Sequence, residues 1–383
     1  PKTLYLRVTA CFMSQWLVPS ARPPSLPLSA ISQYYALSEA SGWYTRGPCN
    51  NLLAERAAAL GGPSWHGVPL SSGTIALALA IRVLAGEPSH RGLVAMPSFT
   101  CPAVAGAVMW AGYRPLLVDV NRDHWHLDAV ALQEAVDRHL DDLAAVVAVA
   151  NFGTEPEADL VSAWEASAEQ AGAPLILDAA AGLMSVRPAG QATVFSFEAT
   201  KPTGLGEGGL LLAPDRRVAD KVARLANYGI ENELAVAPGL NGKLSELSAA
   251  AALCRLDSAE DLLAQRRQRG RDLVDHLKGI VTFQRNAERS AWQVGQILLQ
   301  DRDARENALR LAVSRHIQVK TLWAPLHWHP AFSEVPRAPL AVTEDLALRM
   351  LSLPMAHDLS TEETALIVDL VLDACAQTSP TGS

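Results

Sequence analysis

The chain has 383 residues, 49% of them hydrophobic, and a formal charge of -8, enough apolar material for a large core divided between one bigger and one smaller domain. An acidic chain without a basic cluster is ill suited to nucleic acid, although a local pocket can still be positive and accept an anionic small molecule. Its five cysteines, at 11, 49, 101, 254 and 375, are scattered and form no C-x-x-C pair, a usage that fits a reducing cytoplasm better than a disulfide framework or a zinc site.

Residues 3–18, TLYLRVTACFMSQWLV, are apolar but interrupted by Arg7, Ser14 and Gln15. No cleavage site follows cleanly and no run reaches the ~18 apolar residues of a membrane span, so the stretch reads as an arm or edge strand. A loop with Pro19, Pro23, Pro24 and Pro27 comes after it, and residues 1–40 are taken together as an N-terminal arm of no readable function. The turn SGWYTRGP at 41–48 leads into a helix expected at 50–60. Next, Ser71-Ser72-Gly73-Thr74 opens an apolar helical run at 75–84. A helix starting at Gly-Thr offers free N–H groups and the positive end of its dipole to a phosphate; the plain alternative makes Thr74 an ordinary N-cap.

Between 93 and 177, short apolar runs at 93–96, 116–118, 145–149 and 175–177 alternate with helical patterns such as 102–110 and 159–169. This βαβ rhythm predicts a mainly parallel sheet with helices on both faces. The last run, Leu175-Ile-Leu-Asp178, ends in a carboxylate at the end of the strand where ligands of parallel sheets bind. A turn-capping role accounts for Asp178 equally well. Next comes ATVFSFEATKPTGLGEGGLLLAP at 192–214, two apolar strands flanking a glycine-rich loop that carries Lys201. Gly204, Gly206 and Gly209 satisfy G-x-G-x-x-G, but the dinucleotide fingerprint must open a helix, and the run GLLLAP after these glycines reads as a strand. An amine at such a turn can form a Schiff base with a carbonyl, whereas an arbitrary loop lysine is simply solvated.

Asp178, the Phe195-Ser196-Phe197 strand, Lys201 and the Gly206-Glu-Gly-Gly209 loop together resemble the DegT/StrS family of pyridoxal-phosphate-dependent sugar aminotransferases. Ser71-Ser-Gly-Thr74, Met96-Pro-Ser-Phe-Thr100, Asn241-Gly-Lys-Leu-Ser-Glu246 and Leu351-Ser-Leu-Pro354 occur in the family's order. The resemblance implies a fold type I α/β architecture: a large pyridoxal-phosphate domain at 41–257 with a mainly parallel seven-stranded sheet between helices, and a smaller C-terminal α/β domain at 258–375. It implies Lys201 as the Schiff-base lysine and Asp178 as the partner of the cofactor's ring nitrogen. Gly73, Thr74 and Ser196 are the expected phosphate contacts, joined by Asn241 from the second subunit of a homodimer with shared active sites. Trp43, Tyr44 and Arg46 are candidate substrate contacts. The implied reaction moves an amino group from glutamate or glutamine to a nucleotide-linked keto sugar, in the cytoplasm. The alternatives are elimination or condensation on the same scaffold, or a non-catalytic regulatory relative, which the presence of both Lys201 and Asp178 disfavours.

Two cofactor-contact positions depart from the pattern. Cys101 stands where relatives carry a stacking aromatic residue, and Ala181 where they carry Gln or His against the cofactor's phenolic oxygen. Cys101 is expected to be small and packed, as free cysteine usually is. Further on, an Ala/Leu-rich helix is expected from 246 to about Asp257, and the basic run 266–271 as a solvated helix face. Trp323 and His327 are candidate substrate contacts in the loop LWAPLHWHP at 322–330. His327 and His329, two apart with no third ligand, match no usual metal site. Residues 376–383 are expected to be a flexible tail.

Overall fold

The computed structural model describes residues 16–88 and 92–376, so most of the stretch at 3–18, Cys11 and the tail beyond Ala376 lie outside the described residues. Two helices, Leu28–Ser41 (α1) and Pro48–Ala58 (α2), precede the strand His66–Leu70 (β1) and the helix Gly73–Ala85 (α3). The alternation continues as Leu93–Pro97 (β2), Pro102–Trp110 (α4), Arg114–Val118 (β3), Ala129–Arg138 (α5), Leu143–Val149 (β4), Ala158–Gln170 (α6), Leu175–Asp178 (β5), Ala192–Ser196 (β6) and Gly209–Ala213 (β7). These seven strands form one sheet in the order β1-β7-β6-β5-β4-β2-β3. Strands β2 to β6 pair in parallel, and β7 runs antiparallel to both its neighbours. It is the mainly parallel α/β sheet expected from the alternation of apolar runs and helical patterns.

Helices cover both faces, which is why the central strands are apolar throughout. Alternate residues divide between two cores: Leu93 and Ala95 join Leu53, Leu132 and Trp164 on one side, Val94 and Met96 join Ala80, Val104 and Val222 on the other. Strand β1 has no clear signature in the sequence, because HGVPL shows neither alternation nor a continuous apolar run. It lies at the sheet edge, where Pro69 is tolerated.

After helix Arg216–Leu225 (α7) and the short hairpin Ile230–Glu231 (β8) and Leu234–Ala235 (β9), the chain enters Glu246–Leu277 (α8). The helix expected to end near Asp257 runs unbroken for 32 residues. The basic run within it is not uniformly solvated either. Arg266 is 1% exposed, because the helical period sets it on the face of Leu262, Leu263, Gly270 and Leu273, and its Nη1 donates to the Trp292 carbonyl at 2.8 Å.

A second, antiparallel sheet comprises Thr282–Phe283 (β10), Gly295–Leu298 (β11) and Met350–Leu353 (β12). It packs with Arg302–Ser314 (α9) and Thr361–Ala376 (α11) around a core of Ile297, Ala308, Leu351, Leu353 and Ile367, while Ala341–Arg349 (α10) leads directly into β12. Ala376, expected to begin the tail, is the last residue of α11. Val18 belongs to this third core, and backbone bridges join it to Ile317 and Ala21 to Met355. The segment around Val18 and Ala21 is thus built into the C-terminal region, whereas α1 joins the large-domain core through Ile31.

Candidate active site

The carboxyl ends of β1, β2, β5 and β6 and the start of β7 border a cavity of about 500 Å³. Asp178 closes β5 with its backbone engaged on both sides: the Ala150 N–H donates to its carbonyl at 2.9 Å, and the next residue's N–H donates to the Val194 carbonyl at 2.8 Å. Its carboxylate lines the cavity and is 7% exposed. Oδ1 accepts the Ala180 N–H at 2.9 Å, so the turn-capping role is real but occupies only one oxygen. Burial pushes the carboxyl's pKa up, against the opposing pull of the Ala180 N–H and the charge of Lys201.

Lys201 is half-buried in the same wall. Beyond β6 the chain tightens into a turn in which the Lys201 N–H donates to the Glu198 carbonyl and the Gly204 N–H to the Lys201 carbonyl, both at 2.9 Å. It then returns as the antiparallel β7. The glycine-rich loop therefore leads into a strand, as expected, and not into the helix of a dinucleotide site.

Gly209 brings this hairpin against the start of α3. A Cβ there would sit 2.3 Å from the Ser72 carbonyl carbon and oxygen, so only glycine permits the approach. The N-cap of α3 is Ser72, whose Oγ accepts the Ile75 N–H at 3.2 Å. Thr74, the alternative cap in the sequence, is instead free to line the cavity with Gly73 and Ser196. Three stretches of the chain, at 72–74, 178 and 196–201, thus deliver an amine, a buried carboxylate, two hydroxyls and a helix N-terminus to one space.

A model of the DegT/DnrJ/EryC1/StrS aminotransferase family matches residues 29–372. The chain belongs to this family. Protein Rv3402c of Mycobacterium tuberculosis is 30% identical over 376 residues, covering 93% of this chain and 90% of that protein. The dTDP-4-amino-4,6-dideoxy-D-glucose transaminase of Escherichia coli is 27% identical over 369 residues, 91% and 96% of the two chains. Among solved structures, DesI in the presence of its TDP-sugar product has a TM-score of 0.83 at 26% identity, over 94% of this chain and 93% of that one.

In this DegT/StrS-type aminotransferase the remaining candidate residues fall into two groups. Cys101 lines the cavity at the N-cap position of α4, half-buried and without a capping hydrogen bond from its thiol. It is not the packed thiol expected, because residues at the carboxyl end of β2 face the opening of the sheet. Trp323 also lines the cavity and stacks on Phe152 with ring centroids 4.8 Å apart. Outside the wall stand Ala181, which is buried while its neighbour Ala180 takes the lining position, and Asn241, which is exposed. Trp43 and Tyr44 are 65% and 56% exposed, and Arg46 borders a separate cavity beside Lys243. His327 is held in its loop by Ser98 Oγ and Glu344 Oε1, each 3.0 Å away, and among the described residues no group of three or more His, Cys, Asp or Glu is placed to hold a metal ion.

The cavity has further walls outside the candidate site residues: Ser20 and Ala21 from the arm, and Gln293, Lys320 and Ser352 from the C-terminal region. Ser352 falls in the Leu351-Ser-Leu-Pro354 stretch of the resemblance, but the others are isolated polar or small residues with no local signature. The backbone pair between Lys320 and Ser352, at 3.0 and 2.8 Å, sets two of them side by side.

Proposed function

We propose that this enzyme is a pyridoxal 5'-phosphate-dependent aminotransferase that moves an amino group from glutamate or glutamine to a keto sugar, or a related ketone, carried on a nucleotide. The observation that supports it is the meeting of Lys201, Asp178 and Ser196 with the first turn of α3 in one cavity. The residues fit the cofactor. A buried carboxylate with one N–H donor and a raised pKa is suited by a cationic neighbour such as a protonated pyridine nitrogen. The unpaired N–H groups at the start of α3, with the Thr74 and Ser196 hydroxyls, suit a phosphate.

When bound, the pyridine ring supplies an electron sink for bond breaking at the donor's α-carbon. Lys201 Nζ would hold the cofactor's aldehyde carbon and, once displaced, would carry the proton from the donor's α-carbon to that aldehyde carbon. Asp178 keeps the ring nitrogen's proton in place. Leu77, Val104, Leu322 and Leu353 in the wall limit water around these steps. The sugar-nucleotide assignment leans on the likeness to the Escherichia coli transaminase and to DesI. Asn241, exposed and outside its own chain's cavity, is the residue proposed to reach a second copy's phosphate in a cytoplasmic homodimer.

The test is the visible absorption spectrum of the protein with added pyridoxal phosphate, before and after borohydride and then with glutamate. The expected result is a band trapped by borohydride on Lys201 and bleached by glutamate, absent from Lys201→Ala while the melting temperature is kept. A trapped band that glutamate leaves untouched favours another donor, such as glutamine, or the second reading, elimination or condensation, for which Cys101 in the cavity wall is the motivating observation.

A further inference from the structure

Arg255 lies in α8, is 2% exposed and pairs with no carboxylate among the described residues. Burial pulls its pKa below the usual guanidinium value, so its place needs an explanation other than an ion pair. Its donors go to backbone carbonyls on two separate segments. Nε donates to Gly204 at 3.0 Å, and Nη2 to Pro24 at 2.7 Å and Ser25 at 3.5 Å. Gly204 closes the reactive turn: its N–H donates to the Lys201 carbonyl at 2.9 Å, and a Cβ on it would lie 2.3 Å from the Glu198 carbonyl oxygen. Pro24 and Ser25 continue the arm whose Ser20 and Ala21 wall the cavity. At its other end the arm is fixed by the Ser20 N–H to Gln318 Oε1 at 3.0 Å and by Arg22 to Asp358 and Glu363.

We infer that Arg255 is a positioning residue for Lys201, clamping the reactive turn and the arm into one geometry. A planar fork of five N–H groups reaches carbonyls on two segments at once, which a lysine ammonium on a flexible stem does with far less direction. A turn free to shift by about 1 Å would cost on the order of a hundredfold in rate. The inference rests on Lys201 being the amine of the proposed reaction.

The test uses the holoenzymes of wild type, Arg255→Lys, Arg255→Gln and Arg255→Met, each checked for folding by its melting curve. Two readouts are the pH midpoint of the visible band and kcat separately from KM for glutamate. A third is hydrogen exchange, without cofactor, at residues 199–205 and 20–25. The expected result for Arg255→Gln and Arg255→Met is a shifted midpoint, a kcat lowered roughly tenfold to a hundredfold, and joint loss of protection in both segments, partly restored in Arg255→Lys. Folded Gln and Met variants with the wild-type midpoint, kcat and protection would overturn the inference alone. Absence of a trappable band in wild type would instead overturn the functional reading and this one with it.

Discussion

Asp178 is a carboxylate held where water scarcely reaches it, and its folded pKa stands above the ordinary value of 3.8 because burial outweighs its one N–H donor and the nearby lysine charge. A raised pKa on an acid means that its contribution favours the fold below 3.8 and is lost as pH rises through the folded value. The charge at neutral pH therefore works against the cofactor-free fold. Asp178→Asn is expected to melt higher than wild type at pH 7 without cofactor, by differential scanning fluorimetry, and to lose on the order of 10²–10³ in kcat with it. A lower melting temperature would sink this account. Asp178 and Lys201 are legible because each sits in a local pattern, an apolar strand ending in a charge and a glycine-rich loop between strands. Ser20 and Lys320 are not, since contacts across most of the chain put them in the wall. Arg266 defies its sequence reading because its neighbours' charges hide the helical period that buries it.

Glu246 ties three helices at their ends. Its carboxylate accepts the N–H groups of Gly47 at 2.9 Å, Cys49 at 2.9 Å and Asn50 at 3.2 Å, and the Ser38 hydroxyl at 2.7 Å, so the first residue of α8 serves the start of α2 and the side of α1. Burial alone would raise its pKa, yet the hydrogen bonds from Asn50, Ser38 and the backbone bring it below the usual 4.5. That contribution is complete above pH 4.5 and disappears as pH falls through the folded value. Glu246→Ala leaves buried donors unpaired and is expected to lower stability by at least about 1–3 kcal/mol in urea unfolding at pH 7, with the gap to wild type narrowing in acid. A gap constant with pH would contradict the assigned role. In sequence this residue reads only as part of a family stretch, and the length of α8 is hidden because the change from alanine-rich to charged composition after Asp257 looks like a boundary. The change marks the helix leaving one core for another.

The large sheet and the C-terminal sheet have separate cores, and α8 contributes to both, through Ala249, Leu253 and Leu256 to the first and through Leu273 and Leu277 to the other. Asp119, at the end of β3, adds a second tie by accepting the Val342 and Thr343 N–H groups at 2.9 and 2.7 Å. Unfolding is expected to be one calorimetric transition, and Asp261→Pro, at an exposed position of α8, is expected to lower it as a whole by ~3 kcal/mol or more. Two transitions, only one of them moved, would show that the cores unfold independently. The parallel sheet is legible from its apolar rhythm, but the seat of the arm is not, since a single Val18 in a distant core leaves no local trace. During synthesis, Ser20 leaves the ribosome early, yet its partner Gln318 emerges 298 residues later. The lysine, the aspartate and the sheet that carries them are all in place before the arm has anything to hold. The cavity is therefore among the last features to close, and a nascent chain that stalls before the C-terminal sheet exposes Lys201 to solvent and to passing aldehydes.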